Sequence, residues 1–373
     1  MIQMITYPNL HSNLTFSKYL SECRTIIEGR RVDLDRGDNI NRRIVDANSP
    51  YELLPLATHS SKQSRYGALL IHGLFDSPFS LKELSHHLQQ NGILSRAILL
   101  PGHGTVPSDL LHVSYLDWIN AVRYGVETLE QEVDKIFLVG YSTGAALSIY
   151  QALHNNRIAG IILLAPAIKI RSYLDIVLGW HLFKKLTRIN RDWAYLEKED
   201  DYTKYHSIAF NPVFQVSKLI EVIETLQQQR TLSCPIFMAT SREDETVCSD
   251  TAIDFFSHFH HHNSQLLLYT SSPHRYPDSR IILRPTDYPG KNINHVSHIA
   301  IPFSPQNSHY GQNGDYTFAS RPDPKFVYGA YNQMEEKTYD LLHKWGLVKR
   351  QRRALTYNPD FDYLAEKILN FIR

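Results

Sequence analysis

An α/β architecture, with a mostly parallel sheet flanked by helices, is what this 373-residue chain predicts, and three observations predict it. From about residue 66 onward, short apolar runs alternate with amphipathic helical stretches, as they do where strands feed covering helices. Several of the runs are apolar throughout, as strands buried on both faces are. One run ends in a tight, glycine-flanked turn that opens directly into a helix, Gly140-Tyr141-Ser142-Thr143-Gly144.

The candidate strands are Ala68 to Ile71, Ala97 to Leu100, Lys135 to Val139, Gly160 to Leu164, Ile236 to Ala239 and Gln265 to Tyr269. Between the second and third, Ile119, Val122, Val126, Leu129 and Val133 recur at three- and four-residue steps, which puts one apolar face on a helix. A closing helix runs from about Phe361, with Phe361, Leu364, Ile368 and Ile372 on one stripe; Asn358-Pro359 supplies an N-cap and a first-turn proline. Three segments break the alternation. Residues 1–65 are expected to be an N-terminal extension packed on the core, where Tyr19, Ile26 and Ile27 suggest one helix and Asn48-Ser49-Pro50-Tyr51 marks a turn. The stretch from Leu164 to Cys234 has no clear strand and far exceeds an ordinary connection of ~4–6 residues. From about Ser271 to Asp360 a long excursion rich in Pro, His, Asn and Tyr separates the last strand from the last helix.

Composition narrows the classes. Hydrophobic residues make up 43% and charged residues 21%, ordinary globular usage that buries a sizeable core without metals or disulfides. Thirty-nine basic against 38 acidic side chains leave a net charge of +1, so no field draws the chain toward nucleic acid. The odd number of cysteines, Cys23, Cys234 and Cys248, argues against a disulfide framework and for a reducing, cytoplasmic compartment. The first residues lack the pattern of a secretory signal. No run approaches the ~20 apolar residues of a membrane span, which leaves peripheral lipid contact open.

The chemistry centres on Gly140 to Gly144. It follows the apolar strand Ile136-Phe137-Leu138-Val139 and opens a helix at Ala145, the strand-turn-helix setting of a nucleophile elbow. The glycines are needed because a side chain there would collide with backbone, and the turn projects the Ser142 hydroxyl. Upstream, Leu69-Leu70-Ile71-His72-Gly73-Leu74 ends a buried-type strand in a loop where an oxyanion hole is expected. Its two donors would be the backbone N–H groups of Leu74 and Thr143.

His72-Gly73, Pro101-Gly102-His103-Gly104, Asp117-Trp118 and Gly140 to Gly144 together resemble the α/β-hydrolase superfamily. More narrowly, they resemble its monoacylglycerol lipase and carboxylesterase branch, where a Gly-His-Gly loop leads into a helix bearing Asp-Trp. The resemblance implies the α/β-hydrolase fold, with residues 66–166 as the first half of the core and 233–373 as the second. It also implies that residues 167–232 are a helical cap; within it Tyr173, Ile176, Val177, Trp180, Phe183 and Leu186 form an apolar set that either lines an acyl pocket, leans on a lipid surface or buries its own face in the cap.

A serine hydroxyl needs a base, and the base a carboxylate to orient it; the superfamily order is Ser, then Asp or Glu, then His. Asp244, directly after the strand Ile236 to Ala239, resembles the family's acid, with Glu243 and Glu245 read as solvated charges at a helix entrance. Three histidines compete for the base. His274 stands at a spacing from Asp244 familiar in the branch, but in an exposed turn beside Arg275. His298 is favoured because Val296, Ile299 and Ala300 would dock its loop on the core, and His295 is the reserve. His72 and His103 read as loop-orienting residues, and His258, His260, His261 and His262 as a polar helix end rather than a metal site.

The expectation is a serine hydrolase of carboxylic esters, either short- or medium-chain esters or monoglycerides, working through Ser142, Asp244 and His298. It would need no cofactor or metal, and its partner would be a small-molecule ester or lipid. The rivals are a peptidase or thioesterase with the same triad, and a catalytically silent binding protein on the same fold.

Overall fold

The apolar runs do become strands, and the early start of the second of them is explained by buried polar side chains. The structure is a computed structural model that describes residues 7–10, 13–56, 65–169, 192–272, 276–316 and 318–373. It divides into two units, Met1–Ile161 with Ser172–Cys234, and Ile162–Arg171 with Pro235–Arg373.

The first unit opens with two helices, α1 (Phe16–Arg30) and α2 (Asp38–Asn48), and a short strand β1 (Tyr51–Leu53). The alternation follows: β2 (Tyr66–Ile71), α3 (Lys82–Gln90), β3 (Leu94–Ile98), α4 (Tyr115–Glu130), β4 (Lys135–Tyr141), α5 (Thr143–His154) and β5 (Ile158–Leu164), whose residues fall in both units. Strand β2 lies between β3 and β4 and is parallel to both, while β1 runs antiparallel along β3, Tyr51 opposite Ala97. The sequence places the second strand at Ala97 to Leu100; it begins at Leu94, because Ser95 and Arg96 are also buried. The Arg96 guanidinium is paired with Glu52 at 2.5 Å and with Glu132, though its Nη1 is buried without a hydrogen-bond partner, so a charge that looks wrong for a buried strand is neutralised by two carboxylates. Leu99 and Leu100 leave the strand for other partners. The Leu99 N–H donates to the Tyr19 hydroxyl at 3.0 Å, and Ile27, Val45 and Leu99 share one apolar cluster. Helix α2 and strand β1 have no counterpart in the sequence reading, which sees one helix and a turn there.

Helix α4 carries the expected stripe as far as Leu129, and Val133 lies beyond its end. Its start is fixed by a reciprocal cap: the Ser114 side chain accepts from the helix and Asp117 accepts from the Ser114 N–H at 2.8 Å. Trp118, fully buried, donates its indole N–H to the Pro101 carbonyl at 3.0 Å, which ties this helix to the Gly-His-Gly loop. After β5, the described part of the long interruption holds two short antiparallel strands, β6 (Trp193–Tyr195) and β7 (Ile208–Ala209), and helix α6 (Phe210–Gln227). The sequence reading found no strand in this stretch. The apolar set from Tyr173 to Leu186 lies outside the described residues.

In the second unit β8 (Ile236–Ser241), β9 (Gln265–Tyr269) and β10 (Ile281–Arg284) are parallel neighbours, and α7 (Ser249–Ser257) follows β8. The excursion is not shapeless. It contains a parallel strand pair, β11 (Phe326–Gly329) and β12 (Gln351–Ala354), joined by helix α8 (Gln333–Lys344). The closing helix α9 (Phe361–Ile372) starts where expected, but its N-cap is Asp360 rather than Asn358. Asn358 is buried and used otherwise: its side chain accepts the Asp360 N–H and donates to the Tyr269 hydroxyl, both at 3.0 Å. Among the described residues no helix is long and apolar enough to cross a membrane.

Two glycines separate packing from backbone effects. A Cβ on Gly125 would meet Leu69 Cδ1 at 2.7 Å and Ile98 Cγ2 at 3.1 Å, whereas one on Gly29, in α1, would meet nothing within 4 Å. Gly125→Val should therefore lower stability by about 1–3 kcal/mol through overpacking. Gly29→Ala should raise it by up to about 1 kcal/mol through the unfolded chain's lost freedom. Urea unfolding of the two variants beside the parent checks both signs.

Candidate active site

Ser142 sits between β4 and α5 with φ 54° and ψ −114°, a backbone conformation that costs free energy for a residue with a side chain and occurs where a turn must be very tight. The neighbouring glycines show how tight. A Cβ on Gly140 would lie 2.3 Å from the Gly144 carbonyl oxygen, and one on Gly144 would lie 2.0 Å from that of Ile71. The loop after β2 closes on the same turn: a Cβ on Gly73 would stand 3.2 Å from the Ser142 Cβ.

That loop is held by a cross-braced set of polar contacts. Imidazole His72 accepts the Leu100 N–H on Nε2 at 3.1 Å, and its Nδ1 meets the Gly73 carbonyl at 2.8 Å. Imidazole His103 accepts the Phe75 N–H on Nε2 at 3.2 Å, while its Nδ1 faces the carbonyls of Leu100 and Pro101. Burial pushes His72 down to about 4 and His103 well below its usual range, so both rings are neutral at physiological pH and accept through Nε2. Phe75 is left-handed at φ 58°. The Asp76 carboxylate accepts the Gly73 N–H at 3.2 Å and the Ser80 hydroxyl at 2.5 Å, and it pairs with the Lys204 ammonium. Next to Lys204, the Tyr205 N–H donates to the Phe75 carbonyl at 2.8 Å, and the Tyr205 hydroxyl accepts the Thr105 N–H at 2.8 Å. The bonds in the loop use the N–H groups of Gly73 and Phe75, with that of Leu74 between them. The N–H of Thr143, first residue of α5, is one of those a helix leaves without an internal partner.

In the second unit, two of the expected site residues are in contact. The Asp244 side chain, fully buried after β8, reaches His298 Nδ1 with Oδ2 at 2.8 Å; its Oδ1 accepts the N–H groups of Thr246 at 2.8 Å and Val247 at 2.9 Å. His298 is buried on a loop anchored by Val296 and Ala300, both fully buried, and Ile299 is half-buried. Glu245 differs from its sequence reading as a solvated charge, because its carboxylate accepts the His298 backbone N–H, at 3.0 Å to Oε2. Loss of water around it and the neighbouring Asp244 carboxylate push its carboxyl up to about 8, against the pull of His298. His295 is half-buried, and His274 lies outside the described residues. Among those residues, no group of three His, Cys, Asp or Glu side chains is placed to hold a metal ion.

Sequence reasoning missed Asp76, Lys204, Tyr205 and Glu245. Only Asp76 and Glu245 stood near a motif, and nothing in the spacing links Lys204 to a loop 128 residues earlier in the chain.

The family model described as serine aminopeptidase, S33, matches residues 63–277, more than half of the chain. A thermostable monoacylglycerol lipase from Bacillus sp. (strain H-257) is 29% identical over 183 residues, 48% of this chain and 71% of the lipase. Among solved structures, one reported for LipS and LipT, two metagenome-derived lipolytic enzymes, aligns with TM-score 0.50 at 22% identity, covering 60% of this chain and 87% of that one. A soluble variant of monoglyceride lipase from Saccharomyces cerevisiae aligns with TM-score 0.50 at 16% identity, covering 60% and 82%. At such identities the structures speak for the fold alone, and the family match carries the rest: the chain is an α/β-hydrolase and belongs to the serine aminopeptidase S33 family, with its resemblance on the monoacylglycerol lipase branch.

Proposed function

We propose that the protein is a serine hydrolase of carboxylic esters with apolar acyl groups, either short- or medium-chain esters or monoglycerides. The observation that carries this reading is the Ser142 turn, whose φ of 54° between two glycines without room for a side chain is a backbone strained for the presentation of a hydroxyl. The buried Asp244–His298 pair, the chain order Ser, Asp, His and the similarity to a monoacylglycerol lipase support it.

In this mechanism the Ser142 oxygen attacks the ester carbonyl carbon and gives its proton to His298, whose Nδ1 is engaged by Asp244 and whose Nε2 receives the proton. The carbonyl oxygen gains charge facing the N–H groups of Leu74 and Thr143. The carbonyl reforms as the alkoxide leaves with the proton from His298. Water, deprotonated by the same imidazole, then releases the acid and restores Ser142. The family's description as aminopeptidases favours one second reading, amide hydrolysis by the same residues. A panel of p-nitrophenyl esters and aminoacyl p-nitroanilides separates the two.

Ser142→Ala should abolish ester hydrolysis and labelling by a fluorophosphonate probe while leaving the unfolding midpoint in place, since it removes the attacking atom and little packing. Labelling that persists at another serine would move the nucleophile. His298→Ala should lose about a hundredfold or more in kcat, the lower end of general-base contributions of about 10²–10⁴. His274→Ala and His295→Ala should stay within a few-fold of the parent, and a reversed ranking would transfer the role of base.

Glu245 gives a pH signature. Its carboxyl is raised from 4.5 to about 8 in the folded protein, so between these values the folded state holds a proton that the unfolded chain has lost. Its contribution to stability is fully present below about 4.5 and declines as pH rises through about 8. Glu245→Gln keeps an acceptor for the His298 N–H and removes the titration. Urea unfolding across this window should show a falling stability in the parent and a flatter one in the variant.

A further inference from the structure

Helix α8 packs with the wrong face inward. Towards β12 it turns Glu336, Tyr339 and Asp340: the Glu336 carboxylate accepts the Ala354 N–H at 2.6 Å, the Asp340 carboxylate takes Gln351 at 2.8 Å and Arg353 at 3.0 Å, and the Arg352 guanidinium lies 3.8 Å from the Tyr339 ring centre. An amphipathic helix of a globular domain ordinarily turns its apolar stripe to the core. Here the residues seven and eleven positions beyond Met334 return to the same line, and Met334, Leu341 and Trp345 are 79%, 50% and 69% exposed, with Leu347 just beyond at 68%. No residue of α8 is buried. The whole β11–α8–β12 segment also lies outside residues 63–277, the part that the family shares.

The charge around this stripe says what it meets. Lys337 and Lys344 lie along one flank, and Lys349 and Arg350 follow Leu347; all four are exposed. Against them stands one exposed carboxylate in this stretch, Glu335, which accepts the Asn332 N–H in the cap of the helix. Protein–protein interfaces are depleted in lysine. A stripe of aliphatic side chains ending in tryptophan and bordered by cations fits instead the boundary between acyl chains and anionic headgroups.

We propose that α8 docks the protein on anionic lipid surfaces, with Met334, Leu341, Trp345 and Leu347 entering the headgroup boundary and the four cations meeting phosphates. The inference is independent of the reaction assigned to Ser142. Such a surface would hold the protein where water-insoluble esters are dissolved, without a membrane span.

The test is co-sedimentation of the full chain with vesicles of phosphatidylcholine alone or mixed in equal parts with phosphatidylglycerol. Binding to the mixed vesicles is expected, weaker at high salt and weaker on phosphatidylcholine alone. The variant Met334→Ser/Leu341→Ser/Trp345→Ser should weaken it about tenfold or more, and so should Lys337→Glu/Lys344→Glu. All substituted side chains are exposed, so both variants should keep the parent's unfolding midpoint and its hydrolysis of a water-soluble p-nitrophenyl ester. Equal binding by parent and variants, or no binding by the parent, overturns the proposal. It is overturned as well if light scattering finds a dimer of the parent that the serine variant abolishes, since the face then belongs to a second copy.

Discussion

Two imidazoles kept without charge hold together the loops around Ser142. His72 follows β2 and accepts from Leu100 beyond β3; His103, beyond β3, accepts from Phe75 in the loop after β2. Each ring thus ties the segment of the other, and the rings meet edge to face with centres 5.0 Å apart. A protonated imidazole has no acceptor to offer, so the arrangement depends on burial holding both pKa values down. The left-handed Phe75, the placement of Leu74 and the approach of Gly73 to the nucleophile turn all rest on this exchange. The histidines of the His-Gly and Gly-His-Gly motifs therefore form one structural unit, although 31 positions of sequence separate their numbers, 72 and 103.

How much of this was legible follows from the reach of each signal. Tight local geometry writes itself into adjacent residues: Gly140 and Gly144 are small because a carbonyl oxygen would lie 2.3 Å or less from any Cβ there, and such a constraint is readable in five letters. Strands buried on both faces are readable too, except where a buried cation such as Arg96 breaks the apolar run. The contact between Asp244 and His298 was foreseen only through chain order and the apolar neighbours of the histidine. What the sequence hid are partners chosen in three dimensions. Glu245 stands beside Asp244 among charged neighbours and reads as solvated until the His298 loop comes back to cover it. Helix α8 was hidden for the opposite reason, since its apolar positions look like a core stripe and its polar ones like a surface, and the fold uses both the other way round.

The excursion between β10 and α9 has its own logic. Parallel strands need a crossover, and β11, α8 and β12 supply one within about thirty residues, a minimal unit of its kind. Its contacts to the rest of the second unit include backbone pairing near Asn292 and Ile293 with Tyr328 and a bond from the Arg350 guanidinium to the Asn292 side-chain oxygen at 3.0 Å. The chain then resumes with a closing helix whose apolar stripe is buried.

The contacts of Lys204 and Tyr205 have an evolutionary consequence. An ammonium and a backbone N–H from the segment between β5 and β8 brace the loop after β2, and a hydroxyl from it braces the loop after β3. Exchange of that segment for one from a relative would carry away these struts. The segment is therefore not a freely replaceable module. Change within it is coupled to how firmly the loops beside Ser142 are held, and is accommodated more readily by substitutions away from positions 204 and 205 than by recombination of the whole segment.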